Sequence, residues 1–529
     1  MPTSAAAVRW PDRVDADGLD DLLEELAVSR DADRDRLEVH QPTTGAVVGT
    51  VPAATADDLD AAVARARVAQ ADWAARPPAG RCGFAERLAD LVLDRRDWLL
   101  DLVQLETGKA RLPAYEEVLD VAATARFYAD RTASWLAPSS VQGTVPLAMR
   151  ATVFHEPYGV VGAITPWNYP LTLAISDAVP ALLTGNAVVL KPDAETPFTA
   201  LAGVRLCRLA GLPPDLFQVV TGPGPDLGPW LVDRADFVSF TGSTATGREV
   251  AARAGRNLVD CSLELGGKNP MLVLADADLD AAVEGAVRGC FSSAGQLCVS
   301  IERCFVEAPV YDAFLDAFVE RTAALVLGGG FDYDVEMGPL ASGDQLARVE
   351  AHVTEAVEAG ATVLTGGGAR PDLGPTFFEP TVLADVPPGV ELATEETFGP
   401  VVSVAPVEDV DEAVERANDS SYGLNASVWT TDLERGRAVA RRLQCGTVNL
   451  NEAYATAWGT TAAPMGGMKD SGVGRRHGRE GLLKYCQSKT VAEQRYHPFG
   501  PSAWLPAERF VQVTTAGLRL LGRLPARFR

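Results

Sequence analysis

Between Gly159 and Phe240 the chain alternates short, continuous apolar runs with longer stretches of helical period. The runs at 160–164, 187–190, 217–220 and 236–240 are β-rich, and the stretches through Pro180 and Leu209 place apolar residues at helical spacing. Continuous apolar strands joined by helices predict a parallel sheet with crossover helices on its faces. After residues 242–247 a helix leads to a further strand at 258–265. A second α/β unit follows Gly266 and Gly267, with strands expected at 271–274, 303–306, 362–364, 401–404 and, last, 446–451; helices are expected in the gaps.

The flanks have other rhythms. Residues 1–36 are acidic, with Leu19, Leu22, Leu23 and Leu26 at helical spacing, and predict a surface helix. Thr55 offers an N-cap for a mostly helical stretch continuing through Trp98 and Phe127. Near Pro138 the pattern changes to Val141, Thr144, Val145 and residues 151–154, an extended hairpin-like excursion, and residues 484–495 read as extended again, a partner for it. Beyond Pro506, Phe510, Val513, Leu520, Leu521 and Leu524 share a segment with Arg509, Arg519, Arg523, Arg527 and Arg529 against Glu508 alone. Gly517, Gly522 and Pro525 are expected to interrupt any helix there. This tail is expected to pack on the acidic body or on a neighbouring subunit; weak peripheral membrane contact is the alternative.

A chain of 529 residues, 47% apolar, can bury more than one core. Its net charge of −24 repels nucleic acid over most of the surface, so a nucleic-acid partner is not expected. The eight cysteines include no Cys-x-x-Cys pair, and no His cluster stands at metal spacing, so neither a disulfide framework nor a metal site is expected. No signal-peptide core opens the sequence and no run reaches spanning length, which points to the cytoplasm. Lysine is scarce, at Lys109, Lys191, Lys268, Lys469, Lys484 and Lys489, so a lysine inside a motif draws attention.

The candidate chemistry centres on Cys298, which follows the turn Gly295-Gln296. A lone cysteine is usually a small core residue. Glu264, before Gly266-Gly267, and Asn168, before Tyr169-Pro170, change that reading. A thiol, a carboxylate able to activate water and an amide able to stabilise an oxyanion are the parts acyl chemistry needs. Cys261, Cys290, Cys304 and Cys445 stand in apolar surroundings and read as structural. The turn Gly242-Ser243 to Gly247, between a strand and a helix, can present backbone amides to a pyrophosphate, and Lys191 follows a parallel strand, where such sheets place ligands.

Together these pieces resemble the NAD(P)-dependent aldehyde dehydrogenase superfamily over nearly the whole chain. The motifs are residues 165–170, 191–197, 242–247, 263–268, 295–298, 395–400 and 466–474. Within it the sequence looks nearest to succinate-semialdehyde dehydrogenase-like members. The resemblance implies an α/β fold in which residues 37–136 and 156–265 form a Rossmann-type cofactor domain and 266–480 a catalytic domain. Residues 137–155 and 481–497 would form a β oligomerisation element, flanked by the acidic extension 1–36 and the basic tail 498–529. It makes Cys298 the nucleophile, Glu264 the general base, and Asn168 with the Cys298 amide the oxyanion hole. Lys191 would hold the adenosine ribose, Ser243 and Trp167 the pyrophosphate, and Glu396 the nicotinamide ribose with Phe398 nearby. Thr165, Gly224, Gly242, Gly247 and Leu265 complete the cofactor site. A homodimer or homotetramer is implied, acting on a small aldehyde.

Two positions depart from the pattern. Members that prefer NAD commonly carry a glutamate three residues after the lysine; here that residue is Ala194, with Glu195 beside it, so NADP is favoured over NAD. Better-known succinate-semialdehyde dehydrogenases place two arginines on the distal carboxylate, and this chain has Ser176 and Ser292. Those serines can hydrogen-bond a carboxylate or alcohol, or leave room for a medium-chain aliphatic or aromatic aldehyde bordered by Tyr169, Leu173 and Met465. Acyl transfer to coenzyme A is the runner-up within the fold, disfavoured by Glu264, and a non-catalytic structural member is the remote alternative.

Overall fold

The computed structural model describes residues 7–30, 33–143, 149–495 and 500–523. They fall into two compact units, Met1–Trp135 with Pro157–Gln487, and Leu136–Glu156 with Ser488–Arg529. The larger unit is built on two sheets. In one, the strands lie in the order Gly472–Val473, Asp260–Glu264, Phe237–Thr241, Val160–Ile164, Ala187–Lys191, Phe217–Val219. Five are parallel, and Gly472–Val473 joins antiparallel. Every residue of Val160–Ile164 and Ala187–Lys191 is buried, which is why these strands read as unbroken apolar runs. Chain order reverses between Val160–Ile164 and Phe237–Thr241, opening a ligand crevice at the strands' carboxyl ends.

The other sheet has seven strands, in the order Thr362–Thr365, Thr381–Ala384, Val401–Val407, Ile301–Glu307, Asn269–Val273, Asn425–Trp429, Thr447–Leu450. Thr362–Thr365 is antiparallel to its neighbour and the other pairs are parallel. Asp260–Glu264 leaves the six-stranded sheet at its carboxyl end, and after Leu265-Gly266-Gly267-Lys268 the chain enters the seven-stranded sheet at the amino end of Asn269–Val273. This short passage sets the carboxyl ends of the first sheet against the amino ends of the second, where Cys298 precedes Ile301–Glu307.

The flanks correct several expectations. The N-terminal helix covers only Ala16–Leu22, capped by Asp15 and followed by a 3₁₀ turn at Leu23–Glu25. Its Leu19, Leu22 and Leu23 are buried, each contributing about 1.5–3 kcal/mol. A hairpin of Arg36–His40 with Val47–Pro52 follows, unforeseen from the sequence. The helix expected at Thr55 runs Ala56–Ala74 with a full Thr55–Asp58 capping box. Thr381–Ala384 and Asn425–Trp429 are strands where helices were expected; all nine residues are buried, so neither shows the alternation that marks a half-exposed strand.

In the smaller unit Cys486–Gln494, Met149–Pro157 and Ser139–Gln142 form the expected three-stranded sheet; Thr144 and Val145 lie outside the described residues. The tail contains the helix Ala507–Leu521, running through Gly517, contrary to expectation. A mid-helix glycine costs about 1 kcal/mol but does not remove a hydrogen bond, so it does not stop the helix. Leu524, Pro525, Arg527 and Arg529 lie outside the described residues. Among the described residues no helix is long and apolar enough to cross a membrane.

Candidate active site

The nucleophile's loop begins with strain. After the helix Leu279–Phe291, Ser293, Ala294 and Gly295 all have positive φ, at 51°, 55° and 70°. Two consecutive non-glycine residues in the left-handed region persist only where surrounding structure holds them. At Gly295 glycine is required twice, because a Cβ there would also overlap the Gly399 carbonyl oxygen. Gln296 locks the turn, its Nε2 donating to Ser293 O at 3.0 Å and its Oε1 accepting from Ala341 N at 2.9 Å. Cys298 emerges from this turn half-buried.

Three elements converge on it. Asn269 Nδ2 donates to the carbonyls of Cys298 and Ser300 at 2.8 and 2.7 Å, fixing the backbone that carries the thiol. A Cβ on Gly267 would lie 2.7 Å from Cys298 O, so the Gly266-Gly267 passage rests directly on the nucleophile's residue. Asn168 Nδ2 donates to Gln296 O at 3.0 Å, and Lys109, paired with Glu117 at 2.8 Å, donates to Asn168 O at 2.6 Å. One N–H of the Asn168 amide remains for an oxyanion. Glu264 ends Asp260–Glu264; its Oε1 is shut off from solvent without a partner, and burial pushes its carboxyl up to about 7. Burial, then the charges of Glu396 and Glu264, push the Cys298 thiol up to about 12. The other cysteines named as structural divide: Cys290 and Cys304 are buried, whereas Cys261 and Cys445 are partly exposed, and all eight are free.

At the crevice of the six-stranded sheet lies a cavity of about 750 Å³. Thr165, Trp167, Lys191, Gly224, Gly242 and Ser243, all predicted, line it. Ser243 caps the helix Thr244–Arg256 and accepts from Thr246 N, so a helix amino end faces the cavity. Lys191 is buried, and burial lowers the pKa of its ammonium while Asp193 in the same wall favours the charge. Gly247 and Leu265 are not in the lining; Gly247 lacks the Cβ that would overlap Leu265. Sequence reasoning missed Asp193, Arg248, Arg253 and Arg256 in the wall. The arginines occupy a helix face that helical spacing from Ser243 would have exposed. These features fit a dinucleotide.

Glu396 and Phe398 sit outside that lining but beside it, with the Phe398 ring edge-on to Trp167 at 5.5 Å. Their loop hangs on one buried carboxylate: Glu302 accepts from Thr397 N at 2.9 Å, Phe398 N at 3.0 Å and Lys268 Nζ. Glu396 accepts from Gly267 N at 2.9 Å, tying this loop to the same passage that carries Glu264.

Tyr169, Leu173 and Met465 join one buried apolar cluster with Phe291, Leu297 and Trp458. Tyr169 Oη approaches Glu116 and Ser293, each at 3.2 Å. Ser176 does not stand free for a substrate carboxylate: its hydroxyl donates to buried Asp120 at 2.6 Å, because the helix Arg111–Trp135 brings that acid against it. Ser292, partly exposed, pairs with Tyr454. Arg476, over the Trp458 ring at 5.0 Å, and His477 were also missed by sequence reasoning; both stand just beyond residues 466–474, the segment read for its glycines.

Residues 28–491 match the model of the aldehyde dehydrogenase family. A putative NADP(+) succinate-semialdehyde dehydrogenase of Mycolicibacterium smegmatis is 51% identical over 506 residues, 96% of this chain and 98% of the relative. Among solved structures, an NADP-dependent enzyme of E. coli is 36% identical with a TM-score of 0.83, covering 87% of this chain and 95% of that one. A betaine aldehyde dehydrogenase of Staphylococcus aureus in complex with NAD+ is 33% identical with a TM-score of 0.85, covering 91% and 98%.

Proposed function

This chain belongs to the aldehyde dehydrogenase family, and we propose that Cys298, Glu264 and Asn168 perform its NAD(P)-dependent oxidation, with succinate semialdehyde as substrate and NADP as preferred cofactor. The observation that carries the chemistry is the convergence of the Asn269, Asn168 and Gly267 contacts on the loop of Cys298, with Glu264 on the adjoining strand end. Cys298 Sγ, as the thiolate, attacks the aldehyde carbon, forming a C–S bond, and the carbonyl electron pair moves to oxygen. Asn168 Nδ2 and the Cys298 amide receive that oxyanion. NAD(P)+, which Trp167, Lys191 and Ser243 of the cavity would hold, would supply the acceptor for the hydride that leaves the thiohemiacetal carbon as its C=O bond re-forms in the thioester. Glu264 then takes a proton from water, whose oxygen attacks the thioester; the C–S bond breaks, and acid and thiolate are released.

Cofactor choice is supported by Ala194 and by the cavity wall, where Arg253 and Arg248 are held by Asp233 and Asp470 while Arg256 makes no ion pair among the described residues. An unpaired guanidinium suits an added phosphate. The substrate is supported by the name of the 51% identical relative.

The chain is further proposed to work in the cytoplasm as a homodimer or homotetramer. No residue of its three-stranded sheet is buried, and such a sheet needs a cover to be stable. A neighbouring copy is preferred to a membrane as the cover for the tail helix. A panel of semialdehydes, aliphatic and aromatic aldehydes with both cofactors tests the reading: kcat/KM is expected to be highest for succinate semialdehyde with NADP. A higher value for an aldehyde without a carboxylate overturns the substrate.

A further inference from the structure

Behind Glu264 lies a group of buried charges that the reaction scheme leaves idle. Ser262 and Glu264 alternate with Leu263 along one strand, so their side chains leave the same face. The segment 464–476 crosses that face closely: a Cβ on Gly474 would lie 2.6 Å from Ser262 Oγ, and one on Gly466 3.2 Å from Glu264 Oε1. Two cations enter the space so bounded. Lys484, at the end of the helix Gly478–Leu483, donates to Ser262 Oγ at 3.2 Å. Arg476 is buried; its Nε stands 3.6 Å from Asp177, and neither Nε nor Nη2 makes a hydrogen bond.

Two buried guanidinium nitrogens and a buried carboxylate oxygen with no hydrogen-bond partner among the described residues are each costly to leave unmatched. Their persistence together, beside the base of a hydrolytic step, points to use rather than scaffolding. Resting on Glu264 as that base, we infer that Lys484 and Arg476 are positioning residues, a cation pair that keeps the Glu264 carboxylate ionised so that it can accept a proton during thioester hydrolysis. Neither touches the reacting atoms in this scheme; both act through Glu264.

The charges facing Glu264 come from several elements. Lys484 and Arg476 stabilise its ionised form, with Arg475 adding to them, while burial and Asp177 oppose it. Arg476 in turn faces Asp177, Asp120 and Cys298, and its cation disfavours protonation of the buried His477 beside it. Burial raises the carboxyl to about 7, and the two cations offset part of that rise. Removing one is therefore expected to move the base's titration upward.

The test measures the burst of reduced cofactor and steady-state kcat from pH 5.5 to 9.5 on the full chain with NADP and succinate semialdehyde. Lys484→Met and Arg476→Met are each expected to raise the apparent pKa of kcat by about one unit, lowering kcat at pH 7 by about fivefold, with the burst retained. Lys484→Arg is expected to restore the wild-type profile. Should Arg476→Met fail to fold, Lys484→Met and its arginine rescue decide alone. Glu264→Gln is run alongside: full turnover by it overturns Glu264 as base. Loss of turnover in Glu264→Gln, with an unmoved pH profile in a folded Lys484→Met, overturns the cation pair and leaves the base standing.

Discussion

Two buried charge clusters flank the passage from Glu264 to Asn269, and they are finished to different degrees. Around Glu302 the pairing is dense. Its two oxygens take Lys268 and the amides of Thr397 and Phe398, and neighbouring Arg303 spends its donors on the carbonyls of Lys268, Arg416, Ala417 and Asp419. Around Glu264 the groups are left open: among the described residues Glu264 Oε1, Arg476 Nε and Nη2, and both ring nitrogens of His477 have no hydrogen-bond partner, and Asp177 and Asp120 stand off at 3.6 and 3.8 Å. A buried ion pair stabilises a fold only when its remaining hydrogen-bonding capacity is met, so the first cluster is built as scaffold. The second keeps its capacity for water, substrate and developing charge. The two clusters should therefore fail differently when broken.

The largest effect is expected inside the open cluster's reach. Cys298→Ala should abolish oxidation while leaving cofactor binding and Tm unchanged, because only the covalent step needs the thiol; turnover by this variant removes the nucleophile assignment. Glu264→Gln should keep one burst of reduced cofactor and slow hydrolysis by about 10²–10⁴-fold. Its Tm should change little, since the amide keeps the shape of the side chain and Oε1 makes no hydrogen bond among the described residues that could be lost. With the Glu264 carboxyl raised to about 7, first by burial and against the pull of Lys484 and Arg476, the wild-type rate of hydrolysis should rise as pH passes upward through that value, as the base loses its proton.

The finished cluster should fail as a fold. Lys268→Met leaves Glu302 buried with its cation gone, a loss of about 3–5 kcal/mol. Thermal unfolding should register this as a clear fall in Tm, with weakened cofactor binding as the Glu396–Phe398 loop loosens. A fall in Tm for Glu264→Gln as large as that for Lys268→Met would erase the distinction between the clusters.

Much of this contrast was written in the sequence, but unevenly. The turn before Cys298, the Gly266-Gly267 passage and Lys191 were legible because each stands at a strand end or a tight turn, where local chemistry constrains choice. Lys484 and Arg476 carry no such mark; their meaning comes from the fold laying residues 464–484 across Ser262 and Glu264. Asn425–Trp429 failed for a related reason, since a strand buried on both faces loses the alternation that identifies strands. Ser176 was read as open to substrate because Asp120, 56 residues earlier, gave no local sign of meeting it.

A smaller effect tests the cofactor cavity, whose wall mixes open and paired cations in the same way. Ala194→Glu brings a carboxylate beside Lys191, where it accepts from ribose hydroxyls and repels a 2′-phosphate. The NADP to NAD ratio of kcat/KM is expected to fall by about 2 kcal/mol, or roughly thirtyfold. A wild type already strongly selective for NAD overturns the reading of Ala194.

The smallest effect belongs to the tail helix Ala507–Leu521, an unfinished surface of the apolar kind. Phe510, Val513, Gly517, Leu520 and Leu521 fall on one face by helical spacing, flanked by Arg509 and, further round, Arg519, with Arg523 just past the helix end, and no residue of the helix is buried. Val513 and Leu520 are 59% and 64% exposed, too much apolar surface to leave in water without a cover. An anionic membrane would attract the arginines but repel a chain of net charge −24, whereas a second copy offers acidic surface to the same arginines. Ending the chain at Pro506 is therefore expected to weaken self-association by about 1 kcal/mol, roughly fivefold in sedimentation equilibrium. Anionic liposomes at low and moderate salt should recover the full and shortened chains equally. Preferential recovery of the full chain, falling as salt rises, would assign the helix to a membrane surface instead.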